Sequence, residues 1–317
     1  MATTVQNPGQ ANNTGDRLAL FLKVFSGEVL TAFERTTVTM NRHIVRTISA
    51  GKSASFPVMG RATAKYLAPG NSLDDQRSAI PHNEKVITID GLLTADVLIT
   101  DIDDAMTHYD ARAEYSKQLG ESLAVAADGA VIANGVAVAG ASANLPGLGD
   151  GATVELETLT SIAGASAAQG KEILDALAKT RIGFTKNRVP ASDRFAYLTP
   201  EAYASVLMAL MPDVANYQAI IDIQNGSLMK VHGFELIETP HFADGGADTK
   251  HQFPTALVGK VAALCVHRSA VGTVKLKDLA LERARRAEYQ ADQIIAKYAM
   301  GHGGLRPEAA TIITAKA

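Results

Sequence analysis

Residues Glu84–Gly135 decide how this chain folds: EKVITIDGLLTADVLITDIDDAMTHYDARAEYSKQLGESLAVAADGAVIANG. The apolar and β-branched run Val86–Ile99 predicts a strand. The acidic turn Asp101–Asp104 follows, and the pattern then predicts one helix over residues 103–134. About thirty residues make roughly 45 Å of helix, whereas an ordinary helix has about 11–12 residues. We expect this helix to be a strut that spans the molecule.

Composition limits the class of protein. The chain has 317 residues, is 47% hydrophobic and carries a formal net charge of −3. That length allows one large core or two modest cores, and the weak acidity argues against a dedicated nucleic-acid binder. Cys265 lies in an apolar run, so it is predicted to be buried and unreactive. No apolar run reaches the ~20 residues of a membrane span, so we expect no membrane partner and folding in the cytoplasm.

The N-terminal third of the chain has arm-like and extended patterns. Residues 1–16 have a polar composition typical of disorder, and apolar residues at helical spacing predict a short helix over 16–31. Residues 36–48 are mostly β-branched or apolar and predict an extended segment. Glycines and prolines punctuate residues 51–83, so we predict a two-stranded loop that leaves the body and returns.

Residues after 135 predict an alternation of helices and strands. A helix is predicted over 165–182, and residues 193–260 are expected to form a separate α/β unit. The further elements are a strand at 195–198, a helix from Pro200 to Pro212, strands at 231–239 and 260–266, and a hairpin over 291–315 that turns at 301–304. Residues 279–289 are compatible with a helix.

The acidic turn is the best candidate for chemistry. Asp101, Asp103 and Asp104 are clustered carboxylates that suit Mg²⁺ or Mn²⁺, which makes a metal-dependent enzyme one alternative. At the start of a helix the same residues cap the first amides, and we prefer that interpretation. The histidines lack zinc-ligand spacing, and no nucleophile elbow or phosphate loop occurs. We therefore expect no catalytic residues, no metal and no cofactor.

Charge is distributed unevenly along the chain. Residues 1–65 carry a net charge of +5, residues 66–135 carry −8, and residues 260–300 carry +4. Solvated faces of mixed sign explain any single segment. A basic arm and an acidic strut in one chain also suit a protein whose copies meet head to tail.

Three arginines form a basic run near the C-terminal end. Arg283, Arg285 and Arg286 resemble a phosphate-binding patch. Glu282 and Glu288 lie among them, so a salt-bridge face, within one chain or between subunits, is at least as well supported.

Several long strings of residues resemble one protein family. They are Leu18–Phe25, Val86–Asp96, Gln118–Ala124, His267–Lys275 and Ala291–Ala310. Over nearly its whole length the chain resembles the major capsid proteins of short-tailed bacteriophages, the podoviruses of the T-odd coliphage group. This resemblance implies the α+β tailed-phage major capsid fold, the Hong Kong phage type.

The fold implied by the resemblance divides the chain into five parts. They are an N-terminal arm over 1–50, an extended loop and returning strand over 51–95, a peripheral domain over 96–189 with its spine helix at about 103–134, an axial domain over 190–266, and a return to the peripheral domain over 267–317. The resemblance also implies a structural protein without catalytic activity, whose copies form the hexamers and pentamers of an icosahedral head. The implied partners are further copies of the chain, a separate scaffolding protein, a portal and packaged double-stranded DNA. The implied location is the virion, after assembly in the cytoplasm of the bacterial host.

The charge pattern suggests which residues join neighbouring copies in such a shell. We expect Arg42, Arg46 and Lys52 to meet acidic surfaces of adjacent copies. The acidic candidates are Asp74, Asp75, Asp101, Asp103 and Asp104, and the basic candidates include Arg283, Arg285 and Arg286. An encapsulin-like compartment for a cargo enzyme, the metal-dependent enzyme and a basic-arm nucleic-acid binder are the alternatives.

Overall fold

The computed structural model describes most of the chain. The described residues are 29, 32, 37–77, 79–101, 111–162, 164–210, 221–222, 227–228, 230–242, 250–251 and 254–316. The predicted helix over 16–31 lies, except for the buried, helical Val29, outside these residues.

Strands and helices are numbered in chain order within the described part. The strands are β1 Ile44–Thr47, β2 Ser53–Met59, β3 His82–Thr88, β4 Gly91–Thr100, β5 Ala152–Glu155, β6 Arg194–Leu198, β7 Ile221–Asp222, β8 Ser227–Leu228, β9 Lys230–Val231, β10 Phe234–Glu238, β11 Val261–His267, β12 Val271–Arg286, β13 Ala291–Gly304 and β14 Ala310–Thr314. The helices are α1 Ala111–Ala139, α2 Ala167–Lys186 and α3 Pro200–Leu210.

The larger sheet has the strand order β5-β14-β11-β6-β10-β9. Every residue of β11 is buried, which is typical of a strand covered on both faces. Ile173 and Leu177 of α2 pack in the same core and are fully buried. Phe184 of α2 meets Phe234 of β10 edge to face, with 5.7 Å between the ring centres. This sheet therefore holds the main apolar core of the described residues.

The second sheet has the strand order β1-β12-β13-β4. β13 lies between β12 and β4 and is antiparallel to both. Alternate residues of β4, from Leu93 to Ile99, pack in one cluster with Leu119 and Leu123 of α1. Leu119 and Leu123, in the N-terminal half of the long helix, are thus buried against this second sheet.

The long helix α1 passes from one core to the other. Leu123 and Ala127 pack with the second sheet, whereas Ile132 and Val136 lie in the core of the larger sheet. At 29 residues the helix is about 43 Å long. Residues Glu114–Ala139 are long and apolar enough to cross a membrane, but 72% of the most apolar window is buried inside the protein. Its apolar character therefore serves packing between two sheets.

The strands β2 and β3 form a separate antiparallel pair, with Ser53 opposite Thr88. This confirms a two-stranded loop, although its second strand runs on to Thr88, beyond the predicted end at 83. Gly301 of β13 passes directly under the base of this pair, because a Cβ atom there would lie 2.1 Å from the carbonyl oxygen of Thr88. Only glycine allows the two backbones to approach so closely. The loop therefore leaves from a fixed root on the second sheet.

The single strand predicted over Val86–Ile99 is wrong, because the chain forms two strands there. β3 ends at Thr88 and pairs with β2, whereas β4 begins at Gly91 and pairs with β13. Gly91 has a φ angle of +131°, which other residues rarely adopt, and it redirects the chain.

The hairpin predicted over 291–315 is also wrong. β13 pairs with β12 and β4, whereas β14 pairs with β11 and β5 in the other sheet. Residues 301–304 continue β13 and do not form a turn. Residues 279–286 are strand and not helix, because their pairing with β13 outweighs the helix-forming side chains.

Other predicted elements are confirmed with shifted ends. The helix predicted over 165–182 is α2, which continues to Lys186, and the long helix continues past 134 to Ala139. The predicted α3 begins at Pro200, and β6 and β11 occupy the predicted strand positions. The strand predicted over 231–239 is divided at His232–Gly233 into β9 and β10, which pair with each other. The structure describes the long helix from Ala111, and residues 102–110 lie outside the described part.

Candidate functional site

Asp101, the one residue of the predicted acidic turn that the structure describes, is part of an ion pair. Both carboxylate oxygens of Asp101 accept hydrogen bonds from Arg285, each at 2.6 Å. The hydrogen bond from Arg285 lowers the pKa of Asp101. Asp103 and Asp104 lie outside the described residues. Among the residues that the structure describes, no group of three His, Cys, Asp or Glu side chains could hold a metal ion.

The lone thiol is buried, as predicted. Cys265 lies in the centre of β11 and is 0% exposed. Burial raises the pKa of its thiol, so it is not a nucleophile at neutral pH.

The basic run near the C-terminal end forms intrachain contacts. Arg283 donates to Asp292 at 2.5 Å, and Arg285 lies 3.5 Å from the same carboxylate. Arg286 donates to the side-chain oxygen of Gln293 at 2.8 Å. The three arginines tie β12 to β13, and of the interpretations left open the intrachain salt-bridge face matches this geometry.

The basic residues at the base of the arm also have partners in their own chain. Arg42 donates to Glu235 at 3.0 Å, and its guanidinium lies 5.8 Å from the ring centre of Phe195. Arg46 donates to the carbonyl oxygen of Ser55 at 2.6 Å, so it connects β1 to the loop strand β2.

Two candidate contact residues are at the surface of the loop. Lys52 is exposed at the root of β2. Asp74 is exposed in the short helical turn Leu73–Gln76 and pairs with Arg77 at 2.7 Å. The side chain of Asp75 lies outside the described part.

The extended loop carries large apolar side chains that its own chain leaves uncovered. Tyr66 is 103% exposed, Leu73 is 70% exposed and Met59 is 65% exposed. Leu67 and Ile80 are exposed to a lesser extent. The loop touches the body through Arg61, which donates to the carbonyl oxygen of Asn187 next to α2.

A buried carboxylate on the long helix holds the base of the arm. Asp128 accepts from the backbone N–H of Val38 at 2.6 Å and of Thr39 at 3.1 Å, and also from the Thr39 hydroxyl. His241 lies 3.9 Å from the same carboxylate. Burial raises the pKa of Asp128, although these hydrogen bonds oppose the shift.

Three histidines continue this polar cluster through the second sheet. His43 and His302 lie 2.8 and 2.9 Å from the hydroxyl oxygen of Thr273. His251 lies 2.8 Å from the carboxylate of Asp90, which also accepts from the backbone N–H of His302 at 3.2 Å. We define the histidine junction as Thr39, His43, Asp90, Asp128, Asn134, His251, Thr273 and His302.

Sequence reasoning missed the histidine junction. Its members are scattered from Thr39 to His302, so no spacing rule applies to them. One local signal was present, because Asp128 is the only charged residue between Val125 and Ala139. An isolated acid in the apolar half of a helix indicates a buried partner.

Comparisons with known proteins agree on one family. The family model Gp10A-like: Major capsid protein matches residues 55–314. The chain is 58% identical to the major capsid protein of Escherichia phage T7, over 95% of this chain and 93% of the relative. It is 56% identical to the major capsid protein of Enterobacteria phage T3, over 97% and 94% of the two chains. The capsid structure of the Cyanophage P-SCSP1u is 33% identical, with a TM-score of 0.72 and 99% of both chains covered.

Proposed function

Because this chain belongs to the Gp10A-like family of major capsid proteins, we propose that its copies form the hexamers and pentamers of an icosahedral phage head. The chain is a structural protein of the virion capsid and not an enzyme. It has the tailed-phage major capsid fold, an α+β fold. The encapsulin-like compartment and the metal-dependent enzyme are not favoured, since the relatives at 56–58% identity are phage capsid proteins.

One observation from the structure carries the proposal: the apolar side chains of the extended loop are exposed in the single chain. Five large apolar side chains exposed on one loop exceed the single, scattered apolar residues that are normal at a protein surface. Met59, Tyr66 and Leu73 would each remove apolar surface from water if a neighbouring copy covered them. Burial shared between copies would then stabilise the shell more than the single chain.

The parts of the chain have corresponding roles in this proposal. Residues 1–50 are the N-terminal arm and 51–95 the extended loop. Residues 96–189 with α1 as the spine helix form the peripheral domain, which the chain re-enters over 267–317. Residues 190–266 form the axial domain.

Charged residues on the arm and loop add specificity to the contacts between copies. Lys52 and Arg46 are exposed basic residues, and Asp74 is an exposed acidic residue on the same chain. Such groups suit contacts between the basic residues at the root of the loop in one copy and the acidic residue on the loop of the next copy. Arg42, Arg283 and Arg285 contribute less, because their ion pairs within the chain are less exposed than the pair of Asp74 with Arg77.

The proposed partners follow from the shell. A separate scaffolding protein guides assembly in the host cytoplasm, and a portal occupies one vertex. Double-stranded DNA fills the head and meets the inner face without sequence specificity, in keeping with the net charge of −3.

The test is co-expression of the chain with its scaffold, followed by sedimentation and negative-stain microscopy. Tyr66→Ser removes the most exposed aromatic ring of the loop, and Lys65→Ser changes the adjacent exposed polar residue as a matched control. We expect Tyr66→Ser to reduce the yield of shells while the circular dichroism of the soluble chain stays unchanged. Lys65→Ser should assemble like the wild type. Normal shells from Tyr66→Ser would contradict the role given to the loop.

A further inference from the structure

Hydrogen-bond partners fix every ring proton of His43. Its Nδ1 lies 2.9 Å from the carbonyl oxygen of Thr39, which can only accept, so Nδ1 carries the proton. In the neutral ring Nε2 is then an acceptor, and the hydroxyl of Thr273 donates to it. The oxygen of Thr273 accepts in turn from Nδ1–H of His302. This part of the junction has a single complete arrangement of protons while both rings are neutral.

His251 is fixed in the same way at the other end of the junction. Its Nε2–H donates to the carboxylate of Asp90. Its Nδ1 lies 3.0 Å from the amide nitrogen of Asn134, which also donates to the carbonyl oxygen of Ala130 at 2.8 Å. A second proton on His251 would therefore face another donor, and the bond to α1 would be lost.

The junction joins segments that are far apart in sequence. His43 ends the turn between the arm and β1, and Asp90 is in the turn between the loop strand β3 and β4. Asp128 and Asn134 are on α1, and His302 is on β13. These bonds therefore join the base of the arm directly, and the root of the loop through His251, to the long helix.

We infer that the histidine junction is an acid-sensitive latch, which is closed while its rings are neutral and releases the arm base and the loop root from α1 when they are protonated. The inference goes beyond shell formation, because it concerns the folded chain in any assembly state. Beside His43, His302 and Asp128 lies a small cleft of about 30 Å³, which has room for about one water molecule that could exchange protons with the rings.

The charged groups around the rings set the direction of the effect. His43 faces Asp128 on α1, Arg268 between β11 and β12, and His302, while Lys275 lines the same cleft. Burial lowers the pKa of His43 even though Thr39 and Asp128 oppose it. The junction therefore keeps this ring neutral, and the closed state loses stability as the pH falls below the ordinary histidine value.

His302 faces His43, Asp90 and His251, and it is the more strongly shifted ring. Burial lowers the pKa of His302 to about 3, with His43 and His251 acting in the same direction. If the open state has the ordinary value of 6.5, His302 alone lowers the ratio of closed to open junction about tenfold between about pH 7.5 and about pH 5.5.

The two carboxylates act differently. Burial opposes the shift of Asp90, but His251 and the backbone N–H of His302 lower its pKa, so its contribution is lost only at lower pH. Burial raises the pKa of Asp128, so protonation of this group alone would favour the closed junction. Between about pH 7.5 and about pH 5.5 the histidines therefore determine that the closed junction loses stability as the pH falls.

Hydrogen–deuterium exchange of the full-length protein tests the latch. Protection is compared between about pH 7.5 and about pH 5.5, after correction for the intrinsic pH dependence of exchange. We expect peptides that contain Val38 and Thr39, and those that contain Asp90, to lose protection about tenfold. Peptides over Ile173–Thr180 of α2, a helix without histidine, should keep their protection from exchange. Unchanged protection at the junction, or an equal loss in α2, would overturn the inference.

Variants separate the junction from other histidines. His302→Asn keeps an N–H near the position of Nδ1 but cannot be protonated, so the loss at Val38 and Thr39 should shrink severalfold. His302→Gln provides a second non-titrating variant at the same position if His302→Asn does not fold. His82→Gln changes an exposed histidine on β3 and should retain the full acid response. A full response in whichever junction variant folds would also overturn the inference.

Discussion

Gly170→Ala should destabilise the protein although alanine is the better helix former. Gly170 lies in α2 where this helix crosses α3. A Cβ atom at this position would lie 2.0 Å from the carbonyl oxygen of Ser205 and 2.7 Å from the Cβ atom of Ala209. The first of these is a backbone atom, so no rotamer change can relieve the contact. The two helices would have to move apart.

The size of the effect follows from two opposing contributions. Alanine stabilises a helix interior by about 1 kcal/mol relative to glycine. Overpacking of a close contact costs about 1–3 kcal/mol, and a backbone neighbour places this case at the upper end. Separation of the helices would also strain the bond from the N–H of Ser166 to the hydroxyl of Ser205, which is 3.2 Å long. We therefore expect a net loss of about 2 kcal/mol in the free energy of unfolding.

Gly183→Ala is the matched control because it is the same change in the same helix. Nothing lies within 4 Å of a Cβ atom built at Gly183. We expect Gly183→Ala to raise the free energy of unfolding by up to about 1 kcal/mol. Urea unfolding of the soluble chain, followed by circular dichroism, measures both variants.

The two variants must therefore move the urea midpoint in opposite directions. If Gly170→Ala were as stable as Gly183→Ala, the close crossing of α2 and α3 would be refuted. If both substitutions lowered the urea midpoint equally, the loss of stability would come from a change within α2 itself and not from its contact with Ser205.

Three further substitutions test the cores and the junction by the same urea assay. Phe234→Ala should lower the free energy of unfolding by about 3–5 kcal/mol, because the ring is fully buried against α2; an effect below 1 kcal/mol would contradict this packing. Cys265→Ser should cost about 1–3 kcal/mol by placing a hydroxyl in the apolar centre of β11, and the wild-type thiol should react with Ellman's reagent only on unfolding. Asp128→Asn should lower the free energy of unfolding by about 1–3 kcal/mol, because the NH2 group of asparagine would face a backbone N–H that now donates to the carboxylate. Glu121→Gln, on the outer side of α1, is the control and should be nearly neutral.

Local patterns were enough to place the helices and the central strand. α2 and α3 have apolar residues at helical spacing, and α3 begins with Pro200 in the position that suits a first helical residue. β11 is an unbroken apolar run, as expected for a strand buried on both faces. Each of these elements is specified by residues within its own length.

Pairing between distant strands could not be predicted in this way. Residues 279–286 include Leu, Ala, Glu and Arg, which are good helix formers, yet they form the outer half of β12. Their alternation places Leu279 and Leu281 toward the cluster on α1, and the register with β13 fixes the strand. The strand pairing outweighs local propensity because it places alternate apolar side chains of this strand against the cluster on α1.

Charge reasoning identified ion-pairing residues but not their partners. Arg285 and Asp101 were both proposed as contacts between copies, and in the structure they pair with each other across 184 residues of sequence. The histidine junction could not be predicted from the sequence for the same reason, because Asp128 and Thr39 are 89 residues apart along the chain. Proximity of this kind is a result of topology, and no spacing along the chain encodes it.

The length of α1 has a mechanical consequence. A helix that packs into two sheets must move as a rigid rod, because bending it would open one of the two cores. The arm base binds it at Asp128, and the loop root reaches it through His251 at Asn134, near the point where one core gives way to the other. A force on the arm or the loop therefore acts on α1 between its two anchored ends. Release of the histidine junction would uncouple the arm base and the loop root from this helix while both sheets stay folded, which gives a shell subunit a way to change its contacts without unfolding.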